Sequence, residues 1–280
     1  CFMSSWWHAA FHALQEDPGA PVPGLALRTS AAVLSGLYGL GARGRRTLYD
    51  QGWLQPKRLP CPVLSIGNLV AGGTGKTPLT ALLAGRLQAA GCRVAILSRG
   101  YGGQAPGINL VSNGRQILLQ PPQAADEACL LAQTLPGIPV ITGADRLAAG
   151  QRAWQEFHPD LLLLDDGFQH FQLHRDLDVV LLDAARPFGN GRLLPRGPLR
   201  EPISTLQRPL ILVLTRYVPV RDHSTWEMIK AAFPAAAVVR AAFRLSHAVA
   251  YPDNREVTWP QLAAMNLAAV AGLARPEVFA

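Results

Sequence analysis

The segment Val70–Thr77, VAGGTGKT, limits what this chain can fold into more than any other stretch. A glycine-rich run closing on Gly-Lys-Thr lets successive backbone N–H groups curl around phosphate oxygens. It does so where a strand delivers the chain and a helix carries it away with its positive end toward the anion. Both neighbours are present: PVLSIGN upstream reads as a short buried strand, and Lys76 to Ala89 reads as a helix. Lys76 is expected on the β- and γ-phosphates, Thr77 on Mg²⁺ through its hydroxyl, and Pro78 suits a first helical turn because it has no N–H to satisfy. The loop therefore predicts ATP and Mg²⁺ as cofactors, with Val70, Ala71, Gly72, Gly73, Thr74, Gly75, Lys76 and Thr77 around the phosphates. One departure is visible: Val70 stands where the usual G-x-x-x-x-G-K-[ST] pattern has its first glycine.

Strands and helices alternate from this point. Strands are expected at Val63 to Ile66, Val94 to Ser98, Val140 to Thr142, Leu161 to Leu164, Val179 to Leu182 and Leu210 to Thr215. Helices are expected at Lys76 to Ala89, Asp126 to Leu135, Asp145 to Phe157 and Ser224 to Ala232. Near-continuous apolar strands separated by helices predict a P-loop NTPase-like, doubly wound α/β fold, with a mostly parallel sheet covered by helices on both faces. Ligands on such sheets lie at the carboxyl ends of the strands. The expected organisation is a helical leader over 1–58, a kinase-type core over 59–235 with an Arg-rich substrate loop at 184–209, and the start of a second, smaller α/β lobe over 236–280. An apolar run at Leu267 to Leu273 reads as a strand opening a further unit, which predicts that more chain belongs after Ala280.

The leader carries an apolar stripe at Leu27, Leu34, Leu37 and Tyr38, followed by Arg43, Arg45 and Arg46. The uncharged stretch Thr29 to Ala42 is shorter than the roughly 20 residues that span hydrocarbon. It fits a helix lying on a membrane surface, or equally a surface helix packing its stripe on the core. Only three of the 26 basic residues are lysines in a chain of net charge +7. Arginine's planar fork favours anionic partners such as nucleotides or phospholipids, although a coding bias toward arginine explains the excess as well. The arginines lack interleaved aromatics for base stacking, so no nucleic-acid partner is expected. The four cysteines form no CxxC pair, which argues against a disulfide framework or a zinc site.

A nucleotide loop needs acids at a neighbouring strand end, and LLLLDDG supplies Asp165 and Asp166; Asp183, closing VVLLD, is the rival. Asp126 and Glu127 open a helix, where carboxylates are favoured by the helix dipole alone. His170 and His174 are four apart but lack further metal ligands. Arg186, Arg192, Arg196 and Arg200 gather in the Gly- and Pro-rich loop, and Arg99 and Tyr101 follow a strand's carboxyl end.

Five segments in order, IGNLVAGGTGKTP, LSRGYGG, ADEACLLA, DDGFQH and FGNGRLLPRGPLREP, resemble the tetraacyldisaccharide 4'-kinases, the lipid A 4'-kinases of Gram-negative bacteria. In that family the loop usually lacks its first glycine, so Val70 becomes ordinary. The resemblance implies transfer of the γ-phosphoryl of ATP to the 4'-hydroxyl of a lipid disaccharide 1-phosphate at the cytoplasmic face of the inner membrane. The leader would serve as membrane-surface anchor, and no obligate protein partner is implied. It further implies Asp126 as the catalytic carboxylate, with Lys76, Arg200 and His170 in the catalytic group. Gln169 and Arg146 would lie near the nucleotide, and Glu127, Asp165, Asp166 and Glu201 on the metal side with Thr77. The family also carries an Asp-His motif and a Thr-Glu-Lys-Asp segment beyond the residues matched here, and a chain without them is expected to bind ATP but turn over poorly. The alternative from another class is a P-loop ATPase acting as a nucleotide-dependent switch on a protein partner.

Overall fold

The computed structural model describes residues 25–207, 210–243, 248–250 and 255–265. Most of the first half of the leader and the candidate strand at 267–273 lie outside these residues. Helix α1 (Leu25–Asp50) precedes the core. The core then alternates through β1 (Val63–Asn68), α2 (Lys76–Ala89), β2 (Val94–Ser98), β3 (Asn109–Asn113), α3 (Asp126–Thr134), β4 (Pro139–Thr142), α4 (Arg146–Phe157), β5 (Leu161–Asp165), β6 (Leu177–Asp183), β7 (Ile211–Thr215), α5 (Pro219–Ala232) and β8 (Ala237–Arg240). A small antiparallel pair, β9 (Ala248–Ala250) and β10 (Arg255–Val257), and helix α6 (Trp259–Ala263) follow.

The main sheet has the order β3-β4-β2-β5-β1-β6-β7-β8. Every pairing is parallel except β3 with β4. The central strands are buried on both faces, which is why they read as unbroken apolar runs rather than alternating ones. One face carries Ile66, Ile96, Leu131, Val140 and Leu163, and another cluster gathers Leu97, Ile141, Ala149, Leu162 and Leu164. Strand β1 lies between β5 and β6, so the turn after Asn68 opens at the middle of the carboxyl edge.

Two core elements differ from the sequence expectation. Strand β3 was not expected because NLVSN is short and half polar; it survives as an antiparallel edge, where one ladder suffices. Helix α5 starts at Pro219 rather than Ser224, since Pro is favoured in the first turn and the Asp222 carboxylate accepts a hydrogen bond from Val218 N at 2.8 Å. The buried side of α1 is made of the small residues Ala31 and Gly39, with Ser35 Oγ donating to Leu193 O at 2.9 Å and Tyr38 Oη donating to Arg200 O at 2.8 Å. Leu34 and Leu37 face out, 54% and 61% exposed, with Val33 and Leu40 alongside, so these leucines do not pack on the core. No helix among the described residues is long and apolar enough to cross a membrane.

Candidate active site

The phosphate loop forms where the burial of β1 and the polarity of its last residue meet. Asn68 is fully buried at the end of β1, and its Nδ2 donates to Thr74 Oγ1 at 2.9 Å and to Gly72 O at 3.3 Å, holding the loop in a curl. Gly75 has a φ of 88°, a left-handed turn that directs the chain into α2 and that a side chain would strain. The loop is latched on both flanks. On one, Ala71 N donates to Pro198 O at 2.7 Å and Arg200 N to Leu69 O at 2.8 Å. On the other, Arg216 donates to Gly73 O at 2.9 Å and to Asp183 Oδ2 at 2.6 Å. Asp183, the rival acid, is thus engaged by Arg216.

The acids of β5 lie beside the loop as its neighbouring-strand position requires. Asp166 meets Lys76 Nζ at 3.7 Å and accepts from Arg200 Nη1 at 2.9 and 3.0 Å. Burial alone pushes Asp166 up, but Lys76, Arg200 and then Arg146 outweigh it and hold the carboxyl below its ordinary range. Asp165 is deeper, and accepts from Thr80 Oγ1 of α2 at 3.0 Å. Its burial, opposed by the Thr80 bond and reinforced by Glu127 and Asp166, pushes it up to about 6. Gln169 Nε2 donates to Asn68 O at 2.9 Å, and its Oε1 lies 3.5 Å from Arg200 Nη1.

Arg146, first residue of α4, is buried and donates to Gly143 O; burial, partly offset by Asp165, lowers it to about 10, so it stays charged. Asp126 and Glu127 form the exposed first turn of α3, whose N-cap residue Ala125 makes no side-chain cap. The SRGYGG turn packs on this terminus: a methyl group at Gly103 would lie 2.9 Å from both Ala125 N and Gln123 O. Tyr101 of the same turn is 88% exposed.

Glu201 is buried, and its charge registers on the Tyr38 hydroxyl of α1, whose pKa is raised first by burial and then by Glu201. Of the four loop arginines, Arg200 reaches Asp166, whereas Arg186 and Arg192 are exposed. His174 pairs with Asp176 at 3.4 Å. His170 lies among cations: burial, then Arg146, Arg175 and Arg45, push it down to about 4. An unfolded histidine titrates near 6.5, so between about 6.5 and 4 the unfolded chain binds a proton that the folded chain rejects. Stability is therefore expected to fall as pH is lowered through that window. His170→Asn should flatten this part of a Tm-against-pH profile by up to about one proton; an unchanged slope would contradict the assignment.

Asn68, Thr80 and Arg216 went unrecognised in the sequence, and Tyr38 figures there only as part of the leader's apolar stripe. Asn68 and Arg216 share a signal that could have found them, a polar residue at the carboxyl end of an apolar strand.

The fold and this constellation define a P-loop nucleotide-binding protein with lysine, arginine and carboxylates at the phosphate end. The family profile described as Tetraacyldisaccharide-1-P 4'-kinase matches residues 27–280. The chain belongs to that family. It is 43% identical to a tetraacyldisaccharide 4'-kinase of Geobacter sulfurreducens over 91% of this chain and 72% of that one. It is 42% identical to one of Syntrophus aciditrophicus over 95% of this chain and 74% of that one. Among solved structures it is similar to LpxK from Aquifex aeolicus in complex with ATP, with TM-score 0.63 and 43% identity, covering 67% of this chain. The chain spans 58% of the length of that solved relative.

Proposed function

We propose that this protein transfers the γ-phosphoryl group of ATP to the 4'-hydroxyl of a tetraacyldisaccharide 1-phosphate, giving the bis-phosphorylated lipid A precursor. The observation that carries the reading is the chain Lys76–Asp166–Arg200 at the mouth of the phosphate loop, which sets two fixed cations and an acid where a γ-phosphoryl group is held. Phosphoryl transfer depends on positioning and charge neutralisation more than on covalent chemistry, so such a site is sufficient in kind.

Lys76 and the loop amides bind the β- and γ-phosphates. Arg200 and Arg146 balance charge as it develops on the transferring oxygens. Asp126, exposed on the rim, accepts the proton of the attacking hydroxyl, and Gln169 and His170 line the approach between nucleotide and acceptor. The donor set suits Mg²⁺: Thr77, Glu127, Asp165 and Asp166 offer hard oxygens, and Asp165, raised first by burial and then by the charges of Glu127 and Asp166, is a carboxylate that a divalent cation would favour in its ionised form. When bound, Mg²⁺ supplies charge neutralisation across the β- and γ-phosphates. No three acidic, histidine or cysteine side chains among the described residues converge as a self-contained metal site. Nucleotide-bound Mg²⁺ needs only one or two carboxylates. Glu201 is kept on the metal side on its family position alone.

The acceptor's acyl chains supply a reason for the outward leucines of α1. The helix rests on the loop that presents Arg200, and the exposed face of Val33, Leu34, Leu37 and Leu40 supports a seat on the inner-membrane surface beside the acceptor. Leu34→Glu with Leu37→Glu is expected to weaken retention on anionic liposomes at least about ten-fold, given the apolar area withdrawn. Equal retention would overturn the surface role.

Label from the γ-phosphate of ATP should enter the lipid fraction when the disaccharide 1-phosphate is supplied to the full-length protein. Label appearing as inorganic phosphate whether or not lipid is present would instead favour a switch ATPase.

A further inference from the structure

We infer that Tyr38 of α1 is a positioning residue for phosphoryl transfer: by holding the backbone of Arg200, it fixes where the Arg200 guanidinium meets the γ-phosphoryl group. The inference rests on the proposed transfer and on Arg200 as a cation that balances charge at the transferring oxygens. It gives α1 a part in the rate itself, apart from any hold on a membrane.

Both backbone polar groups of Arg200 are engaged. Its N–H donates to Leu69 O at 2.8 Å, beside the phosphate loop, and its C=O accepts from Tyr38 Oη at 2.8 Å. The Cα between them is held from two sides. From that fixed point the side chain reaches Asp166, which accepts from Nη1 at 2.9 and 3.0 Å and stands 3.7 Å from Lys76 Nζ. An arginine side chain has several rotatable bonds, so the place of its tip depends on how firmly its base is held. At a reacting centre, a misplacement of about 1 Å can cost about a hundred-fold in rate.

The helix that carries Tyr38 is seated by other contacts as well. Ser35, on the same face, donates from Oγ to Leu193 O at 2.9 Å, and a methyl group at Gly39 would lie 2.8 Å from Leu193 Cδ1. Farther along α1, Tyr49 stacks on Phe171 with ring centres 5.6 Å apart. The loop beneath is braced from within, Gly197 N donating to Leu193 O and Leu194 N to Leu199 O, each at 2.9 Å. Loss of one hydroxyl therefore leaves the helix and the loop in place and frees the Arg200 carbonyl. The Tyr38 ring is 40% exposed, so water can replace the lost bond and folding stability changes little. What is lost is the direction imposed on Arg200. The hydroxyl is also kept as a donor at neutral pH, since burial and then Glu201, opposed by Arg200, raise it above its ordinary range.

The test combines two acceptors with a double-mutant cycle. Full-length wild type, Tyr38→Phe, Arg200→Ala and the double variant receive Mg²⁺ and ATP. The acceptor is either the long-chain disaccharide 1-phosphate on liposomes or a short-chain analogue that is monomeric in solution. In Tyr38→Phe, kcat is expected to fall about ten-fold with both acceptors, while KM for ATP changes by no more than about two-fold. Added to Arg200→Ala, the same change should cost less than about two-fold further, because it acts through Arg200. A loss confined to liposomes would make Tyr38 a membrane contact and overturn the inference. Wild-type kcat in Tyr38→Phe, or losses that multiply in the double variant, would overturn it too. Should Tyr38→Phe fail to fold, Ser35→Ala, which loosens the same loop, enters the cycle under the same criteria. If the wild type phosphorylates neither acceptor, the proposed transfer itself fails, and the inference with it.

Discussion

Replacing Lys76 with alanine in the full-length protein is expected to lower phosphoryl transfer about a thousand-fold, the scale on which one preorganised charge acts on a transition state. Lys76 is the residue at which three lines of the architecture meet. It begins α2, so the helix dipole already favours an anion there. It follows Gly75, whose left-handed backbone turns the loop amides inward. Its ammonium also stands 3.7 Å from Asp166, which ties it through Arg200 to the loop at Leu69. Alanine removes the cation and leaves Asp166 with Arg200 as its near partner. The defect should therefore appear both in ATP binding and in the rate with saturating ATP. Lys76→Arg keeps the charge but spreads it over a planar fork, and is expected to restore binding better than rate. Wild-type rates in Lys76→Ala, measured with saturating lipid acceptor, would contradict the assigned role.

Asp126→Asn is expected to cost 10²- to 10⁴-fold in kcat, the usual range for a positioned general base, while ATP affinity stays within about two-fold. Asp126 is exposed at the first turn of α3. Loss of its charge at a helix start costs only about 0.3–1 kcal/mol of stability, so a folded variant with a large rate defect is the signature. The competing explanation is that Asp126 serves the helix dipole alone. In that case the asparagine variant would lose a little thermal stability and keep its rate. The position of α3 supports the catalytic role: the turn around Gly103 packs on its backbone, and the charge of Glu127 is felt at Asp165 beneath the loop.

The parts of this site that were legible in the sequence are those carried by local patterns. VAGGTGKT between a strand and a helix, and an apolar run closing in two aspartates, place donor-side groups because backbone geometry follows from a few adjacent residues. The strand interiors were legible for the same reason: two-sided burial writes an unbroken apolar run. What stayed hidden depends on partners far along the chain. Asp183 and Asp165 both close apolar strands, and only the Arg216 contact at 2.6 Å and the Thr80 contact at 3.0 Å tell the latch from the acid beside the loop. The orientation of α1 was likewise open, because periodicity shows a stripe but not which face the loop at Leu193 and Arg200 will occupy. Helix packing through Ala31 and Gly39 is a close approach of small residues, which a search for apolar bulk passes over. Asp126 carries the same ambiguity in reverse: its local setting is that of an ordinary helix start, and only family resemblance gave it a chemical role.

The position of the new phosphate on the lipid bears on the proposed transfer more closely than any rate. Full-length protein, Mg²⁺, ATP and tetraacyldisaccharide 1-phosphate are incubated in detergent micelles, and the product is examined by phosphorus–proton correlation NMR. A second phosphomonoester coupled to the H-4' proton of the distal sugar is expected, absent when Lys76 or Asp126 is replaced. A phosphate at another hydroxyl, or ATP consumed with the lipid left monophosphorylated, would contradict that transfer.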